Sequence, residues 1–232
     1  ETFNNVLERL TKIDQAQKEI ESLSKNVVSL QDILQDKKAR GTFGEVQLEN
    51  IIENIFGVNN TKIYERQYKL SNNTLCDMVI KLPSPINLLC IDSKFPLENY
   101  QKLIDRNIPE NERNVYAKNF KNDCKKHIED IRKKYIIEGE TSDYAIMFIP
   151  AEAIFAEIYA YHQDVIDYSN NNKVLIAGPT TVMATLSSIQ IGLRDLERDK
   201  QSKIVNENLK ALGVEFSRFK DRWDKLKRNI DT

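Results

Sequence analysis

The chain has 232 residues, 41% of them hydrophobic and 30% charged, enough to bury one sizeable α/β core and still clothe several helices. Its 34 basic and 35 acidic side chains leave a formal net charge of −1, so a hold on nucleic acid must come from local basic patches and not from a bulk field. Three cysteines without CxxC spacing, Cys76, Cys90 and Cys124, argue against a disulfide framework or a zinc site and for a reducing, cytoplasmic setting, and no apolar run reaches the ~20 residues that a membrane span requires.

Residues 1–38 contain no Gly or Pro, and Val6, Ile13, Ile20, Val27 and Leu34 recur every seven positions with Ala16, Leu23 and Leu30 filling the seam. That spacing predicts a coiled coil, or one long helix docked on its own domain. The chain opens at Glu1 without an initiator methionine and reads as a fragment of a longer protein. Gly41 to Gly44 is expected to interrupt the helix, and Val46, Leu48, Ile51, Ile52 and Ile55 then form an apolar stripe that stops at Gly57. Strands are predicted at 62–70, 76–82 and 87–93, separated by the turn formers Ser71-Asn72-Asn73 and Pro83-Ser84-Pro85, which makes a meander. Residues 98–138 carry helical spacing that Pro109 should split in two. A strand at 144–149, a helix at 151–161, a short strand at 174–177 and a helix entered at Gly178-Pro179-Thr180-Thr181 complete the order. The fold class is α/β, a mixed sheet of about five strands flanked by helices with long helical arms at both ends. The divisions fall at 1–38 (coiled coil), 39–190 (core) and 191–232 (C-terminal arm).

Chemistry concentrates between residues 75 and 100. Asp77 opens the apolar run Asp77-Met78-Val79-Ile80 and Asp92 ends Leu88-Leu89-Cys90-Ile91-Asp92; a carboxylate so placed is costly to bury without a partner. In Asp92-Ser93-Lys94 the acid and the amine share one face of an extended strand. Two acids on neighbouring strands can sit side by side, where they raise each other's pKa unless a cation lies between them. Oxygen ligands of that kind suit Mg²⁺ or Mn²⁺. Lys94 can then orient or deprotonate a water, or offset charge on a phosphate, and phosphodiester hydrolysis fits. A plain salt bridge on a sheet edge is the competing account of Asp92 and Lys94.

With a glutamate on the preceding helix, this arrangement resembles the PD-(D/E)XK nuclease core. In order along the chain, Gly41-Thr42-Phe43-Gly44-Glu45, Asp77-Met78-Val79-Ile80-Lys81-Leu82-Pro83, Ile91-Asp92-Ser93-Lys94-Phe95-Pro96, Phe148-Ile149-Pro150-Ala151-Glu152-Ala153 and Gly178-Pro179-Thr180-Thr181 look like the RmuC family of bacterial DNA recombination proteins, over about residues 38–190. The resemblance implies Glu45, Asp77, Asp92 and Lys94 as a nuclease-type site, with the three acids around Mg²⁺ or Mn²⁺, DNA as partner, a coiled coil ahead of the core that makes a homo-oligomer, and a membrane anchor upstream in full-length relatives. Cys76 stands where the motif usually has proline, a departure that touches scaffold more than chemistry. Read without the resemblance, Glu45 is simply a first-turn acid that complements the helix dipole.

Other features have plainer readings. Glu152 fits a helix start, although the resemblance allows it a supporting role at the site, and Gly178 to Thr181 makes a good cap that can also receive a phosphate. His127 is expected to pack on an apolar helical face and His162 to be exposed. Lys37-Lys38-Arg40, Lys125-Lys126 and Arg132-Lys133-Lys134 are candidate contacts to a DNA backbone if several converge on Asp92. Phe216, Phe219 and Trp223 suggest a docking face. Three functions follow: a Mg²⁺-dependent endonuclease acting on structured or recombination-intermediate DNA, a non-catalytic DNA-binding scaffold that keeps the nuclease fold, or a helical interaction protein with no nucleic-acid role.

Overall fold

The computed structural model describes residues 36–230; the heptads of residues 1–35 lie outside them. Helix α1 (Lys37–Phe56) is followed by strands β1 (Tyr64–Lys69), β2 (Leu75–Lys81) and β3 (Leu88–Ser93), helices α2 (Leu97–Ile104) and α3 (Glu110–Tyr135), and strand β4 (Thr141–Phe148). Helices α4 (Glu152–Tyr161) and α5 (Gln163–Asn171), strand β5 (Val174–Ala177) and the long helix α6 (Pro179–Ile230) complete the chain. The sheet order is β1-β2-β3-β4-β5. The first three strands form the expected antiparallel meander, while β4 and β5 add in parallel through helical crossovers, as parallel neighbours require. The α/β class and the mixed five-stranded sheet are therefore as the sequence pattern predicts.

One expectation fails at Gly41 to Gly44, which lie inside α1 and do not break it. The glycine that reads as punctuation serves packing instead. A Cβ on Gly44 would collide with Ser93 Oγ and stand 2.8 Å from Pro150 Cγ, so the bare backbone lets α1 lie directly against the end of β3. Asp36 supplies the helix start, its side chain accepting from the Lys38 N–H at 2.8 Å, as an N-cap should. Helix α5 was not anticipated at all, and it takes up the residues between the predicted helix at 151–161 and β5.

Helix α3 shows why the sheet is covered. Phe120, Cys124, Ile128, Ile131 and Tyr135 are buried at three- and four-residue spacing, the stripe of an amphipathic helix. They cluster with Val79, Cys90, Ala145, Met147 and Ile176 from the strands and with Ile154, Ile158 and Val165 from α4 and α5. Removing one such side chain, as in Ile128→Ala, costs about 2–5 kcal/mol in a core of this kind. Met78, Ile80, Ile91 and Ile146 alternate with the cluster's strand residues and are also buried, so the other face of the sheet is covered as well. Leu48, Ile51, Ile52 and Phe56 of α1 are buried too, and α1 packs on β3.

The chain divides into two compact units, residues 1–184 and 185–232. Within the second, the helix runs through Gly192 and Gly213, and Ile191, Leu196, Leu209, Leu212 and Phe216 are exposed. The side chains of Phe219 and Trp223 lie outside the described residues.

Candidate functional site

The register of the meander decides where the two aspartates fall. Met78 pairs with Ile91 and Val79 with Cys90, and one step further along the same register Asp77 stands opposite Asp92, where side chains of an antiparallel pair share a face. The Ser93 N–H donates to Asp77 Oδ2 at 2.8 Å, tying the acid of β2 to the backbone beside the acid of β3. Asp92 is only 2% exposed. Its Oδ1 accepts from the Tyr135 hydroxyl at 2.8 Å, and its Oδ2 lies 2.5 Å from Lys94 Nζ. That second contact is one of charge without hydrogen-bond geometry, since Oδ2 is buried and no donor meets it at a bonding angle. The Lys94 backbone is held in turn, its N–H donating to the Phe148 carbonyl at 2.9 Å.

Glu45 reaches the group from α1. Its Oε2 accepts from Gln67 Nε2 at 3.1 Å. Gln67 falls opposite Asp77 in the β1–β2 register and has φ of 45°, a left-handed backbone that costs a non-glycine residue on the order of 1 kcal/mol. Such strain is often stored beside functional groups, and here it belongs to the side chain that holds Glu45.

Burial pushes the Asp77 carboxyl up to about 6, the charge of Asp92 adds to the rise, and Glu45 contributes in the same direction; the Ser93 N–H and the Lys94 ammonium pull it back. Three acids thus surround one amine. Burial, with help from Asp92, likewise drives the Tyr135 hydroxyl far above its usual range, so it acts as a fixed donor and not as a proton source. Tyr135 Oη also stands 2.9 Å from the Leu75 carbonyl. One proton serves two acceptors there, which clamps the end of α3 to both strands.

Beside this group opens a cleft of about 430 Å³, lined among others by Arg40, Ser93, Lys94, Lys126, His127 and Asp130. Sequence reasoning missed most of these. His127, expected on an apolar face, borders the cleft, and burial together with the Lys94 charge lowers its pKa. Of the basic clusters, Arg40 and Lys126 converge here. Lys125 instead pairs with Asp164 at 2.8 Å, Lys133 pairs with Glu129, and Arg132 donates to Asn172 Oδ1. His162, expected to be exposed, is 6% exposed and stacked near Phe120, because it ends α4 where α5 turns back into the core. Glu152 sits on the start of α6, with Oε2 accepting from the Thr180 N–H at 3.4 Å, so a carboxylate of the chain itself occupies that helix end. The only signal that could have found Tyr135 was the buried stripe of α3, of which it is the last member.

Among the described residues no three His, Cys, Asp or Glu side chains form a ready-made metal cage. The donor chemistry nevertheless suits a hard divalent cation: carboxylate oxygens in excess of the nearby positive charge, one of them buried and without a hydrogen-bond donor, and an acid whose proton affinity is raised by its neighbours.

No solved structure matches this chain. Among curated proteins it is 32% identical over 241 residues to the DNA recombination protein RmuC homolog of Xylella fastidiosa, covering all of this chain and 52% of that protein. The homologs of Zymomonas mobilis and Chlamydia muridarum are 28% and 25% identical, over 75% and 96% of this chain and 40% and 50% of theirs. The chain thus spans about half the length of the curated relatives it matches. The model of the RmuC family matches residues 1–232, and this chain belongs to the RmuC family.

Proposed function

We propose that this chain carries the core of a DNA recombination protein and is a divalent-metal-dependent endonuclease of the PD-(D/E)XK type, acting on structured or recombination-intermediate DNA. The observation that carries the reading is the meeting of Asp77, Asp92 and Lys94 at adjoining strand ends, with the acids outnumbering the amine. The relatives' printed name, DNA recombination protein, supports the DNA part of the reading. In this proposal residues 39–190 form the nuclease core, the heptads of 1–38 associate as a coiled coil into a homo-oligomer, and 191–232 form a helical arm.

Asp77 and Asp92 would hold Mg²⁺ or Mn²⁺, with Glu45 assisting. When bound, the ion supplies Lewis acidity toward a phosphate and a more acidic water. The protein's own part is to hold these groups still. The Ser93 N–H fixes one oxygen of Asp77 and Tyr135 fixes one oxygen of Asp92, leaving Asp92 Oδ2 directed at Lys94. Released from that contact, the Lys94 ammonium can orient an attacking water or offset the charge that builds on the phosphate. Gly44 lets α1 approach so closely that Glu45 is presented to the same place.

A second reading has its own observation. The Lys94–Asp92 contact closes the charge balance of Asp92 without a metal, as it would in a non-catalytic DNA-binding scaffold. Cleavage of branched and linear DNA by the purified chain with Mg²⁺ or Mn²⁺, compared with Asp92→Ala and Lys94→Ala, separates the two. The nuclease reading expects cuts that both variants lose. DNA binding that survives with no cleavage under either metal establishes the scaffold.

A further inference from the structure

The cleft next to Lys94 contains a buried cation that the proposed metal chemistry does not use. Arg40, on the first turn of α1, is 7% exposed, and its Nη2 donates to Glu98 Oε1 at 2.8 Å. The two partners are unequal, for the Arg40 side chain is 8% exposed and that of Glu98 70%. A guanidinium locked into the wall of a cleft is thus met by an anion on a side chain that solvent reaches from most directions. Glu98 follows Leu97 at the start of α2, where a rotation of its own side chain withdraws the carboxylate without disturbing the core.

We infer that the Glu98 carboxylate stands in for a phosphate, and that Arg40 with Lys94 forms a phosphate-binding subsite of this cleft for a nucleic-acid strand. A planar guanidinium recognises a phosphate through paired N–H···O bonds as well as it does a carboxylate. Lys94 and Lys126 line the same cleft and add positive charge. Asp123 and Asp130 line it too, and their repulsion confines an anion to the Arg40 and Lys94 end. Lys94 then faces both ways, toward Asp92 and toward the bound phosphate, which sets the distance between the anchored phosphate and the acids. The inference rests on the DNA-binding part of the proposed function and not on cleavage.

Binding is measured by fluorescence anisotropy in EDTA, so that a failure of the nuclease reading leaves the outcome untouched. The probes are one oligonucleotide with a 5′-phosphate, the same strand with a 5′-hydroxyl, and inorganic phosphate as competitor. Arg40→Gln should weaken binding about tenfold and lower the slope of log affinity against log salt by about one, while Glu98→Gln should strengthen it by removing the competing anion. A gap between the two oligonucleotides in the wild type that vanishes in Arg40→Gln assigns the site to a strand end. Equal losses on both probes assign it to an internal phosphate. Unchanged affinity and salt slope in folded Arg40→Gln overturn the inference. If that variant does not fold, Glu98→Gln decides it alone, and equal or weaker binding there overturns it.

Discussion

Two clusters of acid and base in this molecule have opposite balances. At the surface, one carboxylate, Asp164 of α5, meets two amines of α3, Lys121 at 3.4 Å and Lys125 at 2.8 Å. At the sheet's end, Glu45, Asp77 and Asp92 share one amine, Lys94. The first cluster holds Asp164 below the usual carboxylate range, the Lys125 hydrogen bond being the largest cause; the second pushes Asp77 above it, burial first. A surface cluster with cations to spare fastens two helices together and asks for nothing more. A buried one short of positive charge is kept at a cost to the fold, and a metal, or the absence of any reaction at all, has to account for it.

The sharpest way to break this contrast is to remove the amine. Lys94→Ala should lower DNA cleavage about 10²–10³-fold, as loss of one well-placed charge-stabilising group does, in single-turnover assays with saturating metal; a variant as active as the wild type ends the role given to Lys94. Next in size is a pH effect. Asp77 binds its proton more tightly folded than unfolded, so the fold gains from that proton at low pH and loses the gain as pH rises from about 4 to about 6. Asp77→Asn should therefore stabilise the protein by about 1–2 kcal/mol at pH 7.5 and have no such effect near pH 3.5, read from urea unfolding at the two pH values. Metal should act in the same window, raising Tm more at pH 7.5 than at pH 5.

Tyr135→Phe removes the donor from Asp92 and leaves the ring in the core. Partners that orient a ligand in this way are worth about 10–100-fold in metal affinity, and Mn²⁺ titration followed by electron paramagnetic resonance should show a loss near the lower figure. Unaltered Mn²⁺ affinity with lowered stability would make Tyr135 a packing residue only. The smallest effect belongs to the surface cluster. Asp164→Asn should cost about 0.5 kcal/mol, less at high salt. Its sign with pH is the reverse of Asp77: the depressed pKa contributes stability above the ordinary carboxylate range that is lost as pH falls below it.

The acids were legible because a carboxylate within an apolar strand is anomalous wherever the strand lies, and the meander that joins them is a matter of local turn chemistry. Gly44 was legible as a glycine but not in its purpose, since a helix break and a close approach leave the same mark in one dimension. Arg40, His127 and Tyr135 could not be read at all. Tyr135 meets Asp92 across 43 residues and Arg40 meets Glu98 across 58, and such pairings depend on how two helices pack, which no short-range pattern encodes. His162 was misjudged for the same reason, its burial being the work of α5.

The kink at Gln67 has one more consequence. Strand β1 is an edge of the sheet, and its outer rim of backbone groups would offer any extended chain a place to add. A left-handed residue in mid-strand bends that rim out of line, and Glu65, Arg66 and Lys69 make it polar, the means by which natural edges resist unwanted strand addition. The backbone irregularity that serves Glu45 on the inside thus also guards the molecule against sticking to its own kind.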